Sequence, residues 1–227
     1  MKDTMETTKP LYRIPFSLTL VALGVLASST GCSLAANLLN AYSGNMIPPA
    51  FDGLSERRVA VVCVADSTIY GPSVVTNQLA LSVDKLLRAN VPDIEIISQD
   101  EIEDWQDNNE WNGIDFAPLG KGVDAEMVVL VDIGSFRIHD GKTMYRGRTD
   151  MGVAVYDMAA VDGDQEVFRK SRVEQTFPEN GPLATTDTTD ARFRSQFIRY
   201  LAHQVTKNFF AYDFKEDFAL DSMTLSR

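Results

Sequence analysis

Cys32 is the residue whose surroundings specify a chemistry most clearly. It closes Ser29-Thr30-Gly31-Cys32, behind a basic N-terminus (Lys2, Lys9, Arg13) and an apolar run from Ile14 to Ala27. That run has the length of a signal-peptide core and falls short of the ~20 residues that span a bilayer as a helix. The small residues after it, Ala27 to Gly31, suit a signal peptidase. Cleavage before Cys32 would leave an N-terminal cysteine whose thiol carries lipid, with palmitate-type acyl chains holding the mature chain to a membrane. The plainer alternative is an ordinary signal peptide cut near Ala27 or Gly31, with Cys32 unmodified.

The segment resembles the lipobox of bacterial lipoproteins, with Gly31 as the small residue before the cysteine. It departs from that pattern in placing Ser29 where leucine is commonest. Ser33 follows the cysteine, and the sorting rule of enteric lipoproteins implies the outer membrane, facing the periplasm.

No other residues form a recognisable catalytic or metal constellation, and the chain is expected to be non-enzymatic and to need no cofactor. His139 and His203 have no Cys, Asp or Glu at metal-ligand spacing, and there is no Gly-x-Ser-x-Gly elbow or full phosphate-binding Gly-x-x-x-x-Gly-Lys-Ser/Thr loop. Glu101, Glu103, Asp104 and Asp107 follow a helix start, where the helix dipole favours carboxylates whether or not they have a function. Cys63 lies in Val59-Ala60-Val61-Val62-Cys63-Val64 and reads as a small core hydrophobe. With only these two cysteines, a lipid on Cys32 rules out an internal disulfide. One loop could hold a small ligand: Asp66, Ser67 and Tyr70 lie where a parallel strand passes into a helix N-terminus. Tyr70, Trp105 and Trp111 are candidate aromatic anchors of a partner surface.

Positioning these residues requires a hydrophobic core, and the composition supplies one. Hydrophobic residues make up 44% of the chain, enough for one domain. The net charge of -11 becomes about -12 once residues 1–31 are removed. Such acidity excludes a nucleic-acid partner, because phosphate binding requires clustered Lys and Arg. The local basic clusters, Arg146 with Arg148, Arg169-Lys170 with Arg172, and Arg192, Arg194 and Arg199, read as solvated faces.

The expected organisation is a signal at 1–31, an anchored spacer at 32–53 broken by Pro48-Pro49, a single globular α/β domain at 54–213 and a loose tail at 214–227. Arg58 to Ala65 is a Val-rich run that reads as a strand covered on both faces. Val75, Leu79, Val83, Leu86 and Leu87 give a helix ending near Asn90, and Ile94 to Ile97 gives a second strand, parallel to the first. Ser98 and Glu101 form a capping box for the next helix, and Phe116 to Lys121 is a short helical turn. Met127 to Ile138 and Met144 to Tyr156 are strands joined by an Asp140-Gly141 turn, and Glu166 to Phe177 follows an Asp162-Gly163 turn. The last helix carries Phe193, Phe197, Ile198, Leu201 and Val205 on one stripe. The fold class is therefore mixed α/β: one sheet with a βαβ unit and then a three-stranded antiparallel meander, helices packed on it, and a C-terminal amphipathic helix.

Arg58 to Val62, Gly122-Val123-Asp124-Ala125-Glu126-Met127-Val128-Val129-Leu130, and Val153 to Asp157 before Glu166-Val167-Phe168 resemble the CsgG-like and TolB-N-terminal-like group of periplasmic domains, which includes the lipoprotein LpoB. The Thr-Gly turn common in that group is replaced here by Asp162-Gly163-Asp164. The resemblance, over residues 58–210, implies a non-enzymatic assembly, secretion or regulatory module that binds another envelope protein; the expected role is a binding or scaffold module of the envelope, as a single chain or an oligomer. A transmembrane pore is disfavoured, since both hairpins already serve the meander. The competing expectation is an envelope enzyme or small-ligand-binding protein whose site is assembled from scattered residues.

Overall fold

A computed structural model describes residues 46–65, 74–111, 115–159 and 165–213. The Val-rich run is β2 (Arg58–Ala65), and after it come helix α1 (Val74–Asn90), β3 (Glu95–Ile96), α2 (Gln99–Asn108) and α3 (Phe116–Gly122). The second half is β4 (Met127–Ile133), β5 (Arg137–His139), β6 (Met144–Asp157), β7 (Gln165–Phe177), β8 (Leu183–Ala184) and α4 (Asp190–Thr206). β1 (Met46–Ile47) and β9 (Tyr212–Asp213) flank these elements.

β2 pairs in parallel with β3 on one edge and with β4 on the other, so the βαβ unit has the expected direction. β4, β6 and β7 form the antiparallel meander. β6 is the long central strand: β4 and then β5 lie along one of its edges, β7 and then β8 along the other.

Alternation along the strands sorts the core into two layers. On one face Val59, Val61, Val129 and Val131 meet α1 and α4, and on the other Ala60, Val62, Val128 and Leu130 meet α2 and α3. The parallel strands are thus covered on both sides over most of their length, and β2 and β4 are apolar except at Arg58 and Asp132. Phe193, Phe197, Ile198, Leu201 and Val205 of α4 are all buried. Local signals fix the helix starts. Ser98 Oγ accepts from Glu101 N, Asp115 Oδ1 from Ala117 N and Thr189 Oγ1 from Arg192 N, each satisfying an orphan donor of the first turn. The Glu101 carboxylate lies 3.4 Å from Arg58 Nη2.

Several elements differ from the sequence expectation. The strand expected to run from Met127 to Ile138 stops at Ile133 and resumes as β5. Between them Gly134 N donates to Asp150 O at 2.7 Å, and Phe136 turns into the core to stack on Phe197 with ring centroids 5.1 Å apart. The strand expected over Ile94–Ile97 is only two residues long, although Ile97 N still donates to Val59 O at 2.9 Å. Packing starts before Leu54: Met46 pairs with Asp213, Phe51 N donates to Asn208 O at 2.9 Å, and the Phe51 ring lies 5.6 Å from Phe168. The polar linker before the last helix contributes β8. In the Asp140-Gly141 turn only Gly141 takes a positive φ, 74°. The Asp162-Gly163 turn and the tail beyond Asp213 lie outside the described residues.

Candidate functional site

Cys32, Asp66, Ser67 and Tyr70 lie outside the described residues. Trp105 and Trp111 are described, and both are half-buried against the core layer under α2 and α3. A Cβ on Gly122 would overlap the Trp105 indole, so α2 sits against α3 through that glycine. Trp111 Nε1 donates to Asp115 O at 2.6 Å, and its ring meets Phe116 edge-on at 5.7 Å. The two tryptophans therefore tie α2 and the residues just after it to α3.

A buried polar cluster, unforeseen from the sequence, lies where β3 stops short of the carboxyl half of β2. On this edge Arg57 O and Val59 O accept from Glu95 N and Ile97 N, and the Gln99 side chain takes the next place. Its Nε2 donates to Val61 O at 3.1 Å and to Asp84 Oδ2 at 2.9 Å. Asp84 is only 6% exposed, and its Oδ1 has no hydrogen-bond partner. Burial pushes its carboxyl up to about 7, against the opposing effects of the Gln99 hydrogen bond and the nearby Arg88 charge. Desolvation also raises the Cys63 thiol well above its ordinary range, and the Asp84 carboxylate adds to that shift. Cys63 is consequently a poor nucleophile. Asn77 Nδ2 donates to Glu103 Oε1, joining α1 to α2 over this edge. On the Cys63 side of Gln99, a cavity among Cys63, Thr76, Asn77, Gln99 and Glu103 is about 30 Å³, room for a water, while on the Asp84 side Asp84, Arg88, Gln99 and Asp100 line an open hollow of about 510 Å³. The signal for Asp84 is its position: it falls four residues after Ala80 and three before Leu87, on the buried stripe of α1.

Among the described residues there is no group of three or more His, Cys, Asp or Glu placed to hold a metal, and no helix long and apolar enough to cross a membrane. His139 Nε2 lies 3.0 Å from Asp190 Oδ1 at the start of α4, an exposed pair.

The most extended accessible feature is the outer edge of β7. This 13-residue strand pairs with β6 alone among the described strands. Two register shifts break its ladder, and Val167 and Val173 are exposed at 40% and 51%. Bulges and charges of this kind limit indiscriminate pairing at an edge. Arg169 Nε pairs with Glu166 Oε1 at 2.8 Å, and Arg172 Nε with Asp132 Oδ2 at 2.7 Å. The second contact crosses β6 over Gly152, where a Cβ would lie 3.1 Å from Arg172 Cγ. These residues make β7 a structured edge with two apolar footholds.

No family model matches the chain, and no curated protein matches it by sequence. Solved structures align with parts of the chain at low identity. The lipoprotein GNA1162 from Neisseria meningitidis is 10% identical, with 65% of this chain and 96% of that one covered and a TM-score of 0.43. The PelC dodecamer from Paraburkholderia phytofirmans is 13% identical, with 72% and 93% covered and a TM-score of 0.41. The LpoB C-terminal domain from Salmonella enterica is 10% identical, with 55% and 85% covered and a TM-score of 0.36.

Proposed function

We propose that this chain is a lipid-anchored extracytoplasmic protein of a bacterial envelope that acts by binding another envelope protein rather than by catalysis. The observation that carries the reading is Gly31-Cys32 behind the apolar run Ile14 to Ala27, because it specifies both export and a modified N-terminal cysteine. A lipid on Cys32 keeps the domain within reach of membrane-associated partners, which raises their effective concentration. The resemblance of the strand motifs to periplasmic lipoprotein domains supports the same reading, and Ser33 favours the outer membrane.

The β7 edge supports a binding role, since an added strand would gain main-chain hydrogen bonds there and side-chain contacts at Val167 and Val173. Photo-crosslinkers placed at Val167 and Val173 in the full chain, followed by recovery from native membranes, test this. The expected result is a discrete crosslinked band from those positions and none from Glu56, an exposed residue on the turn before β2. Equal labelling from all three positions, or none from any, would remove β7 as the binding edge.

A further inference from the structure

The sheet face under α2 and α3 is covered over Ala60, Val62, Val128, Leu130 and Ala154. Farther along β6 the same face presents Arg148 and Arg146, at alternate positions from Ala154, and no described helix packs there. Arg148 stands directly opposite Arg137 of β5. Like charges at one cross-strand position destabilise a sheet. Arg148 has one carboxylate partner, Asp140, at 3.3 Å. The side chains of Arg137 and Arg146 have no ion pair or hydrogen bond among the described residues, and Arg146 Nε is shielded from water without an acceptor. The chain has 32 acidic against 21 basic residues, so three arginines gathered at one place, two of them without a carboxylate partner among the described residues, stand out as a local positive patch.

A complementary group lies on α2. Asp100, Asp104 and Asp107 are spaced by four and three residues, which puts them on one stripe of the helix. All three are exposed, and no basic side chain pairs with them among the described residues. Their stripe is ~10 Å long at the helical rise per residue. Arg146 and Arg148 are ~7 Å apart along the strand, with Arg137 ~5 Å across from Arg148. The two groups match in sign, number and span.

We propose that the arginine face of one copy binds the acidic stripe of α2 on a second copy. Each copy carries both halves, so two such contacts can close about a two-fold axis. An anionic lipid surface fits less well, because a flat, extended negative surface would also lie against Asp150 and Glu174, which stand opposite each other beside the arginines, whereas a single helical stripe about 10 Å long can be confined to the arginines. The contact belongs to the folded residues and does not depend on lipid at Cys32, so its failure would leave the anchoring reading intact.

Co-purification of two differently tagged full-length copies from detergent extracts tests the contact. Wild-type copies are expected to be recovered together at low salt and to separate at high salt. Arg146→Glu with Arg148→Glu on both copies should lower recovery about tenfold or more. Asp100→Lys with Asp104→Lys and Asp107→Lys on both copies should do the same. Mixing the two variants restores opposite charge at both contacts, and recovery should return toward the wild-type level. Thermal melts of each variant separate a lost contact from a lost fold. Wild-type copies that never co-purify, reversals that leave recovery unchanged, or correctly folded swapped variants that stay apart would each overturn the proposal.

Discussion

Phe197→Ala is expected to destabilise the fold by roughly 3–5 kcal/mol, a large share of the ~5–15 kcal/mol that holds a domain of this size together. The side chain is fully buried on the inner face of α4. Its ring stacks on Phe136 at 5.1 Å and on Phe177 at 6.1 Å, and Tyr200 lies 6.5 Å away. Beneath it is Gly147 of β6, where a Cβ would come within 2.6 Å of the Phe197 ring. Truncation removes the surface that joins α4, β6, β7 and the bend before β5. The glycine provides an internal check. Gly147→Ala should be destabilising in the wild type and much less so with Phe197→Ala, since the clash is then gone. Urea melts of the two single variants and the double variant measure this coupling. Strict additivity would show that the ring does not rest on Gly147.

Asp84→Asn should act in the opposite direction, and only above acidic pH. The folded carboxyl titrates at about 7, well above its unfolded value of 3.8. The folded state therefore binds more protons than the unfolded state between these values. The group's contribution to stability is fully present below pH 4 and is lost as pH rises through 7. The loss amounts to roughly 2–4 kcal/mol, set by the size of the shift. Asparagine keeps an acceptor for Gln99 Nε2 and cannot ionise. Its variant should be flatter in stability between pH 4 and 8, and at pH 8 more stable than wild type by roughly 2 kcal/mol less any cost of burying an extra amide N–H. Chemical denaturation across that pH range reads the slope. An unchanged slope in the variant would mean that Asp84 is not the titrating group.

These two effects differ in how visible they are in the sequence. Phe197 belongs to a stripe with Phe193, Leu201 and Val205 at helical spacing, and a core face follows directly from that periodicity. Asp84 is on an equally regular stripe, but a carboxylate between Val83 and Lys85 reads as surface unless its partner is known, and Gln99 is fifteen residues away across a strand. β2 and β4 are legible because strands buried on both faces are almost continuously apolar, here interrupted only by Arg58 and Asp132. The meander is legible because β6 and β7 are long and Asp140-Gly141 marks a turn. β1 and β9 are two residues each, too short for any period, and only their pairing across the domain makes them strands. The break after Ile133 comes from Phe136 being drawn into the aromatic cluster, a tertiary effect that overrides local strand propensity. The arginine face depends on the irregular register between β5 and β6, which sets Arg137 opposite Arg148, and spacing along the chain cannot supply it. Trp105 and Trp111 stand out by type alone; their tie to α2 and α3 emerges only from the packing.

The anchoring claim carries the functional reading, and one measurement tests it most directly: membrane fractionation of the full chain beside Cys32→Ala, with metabolic labelling by a palmitate analogue. The account predicts that the wild-type chain takes up label and sediments with membranes, whereas the variant is unlabelled and recovered mainly in the soluble extracytoplasmic fraction. Recovery of the variant with membranes at the wild-type level, or an unlabelled wild-type chain, would contradict it.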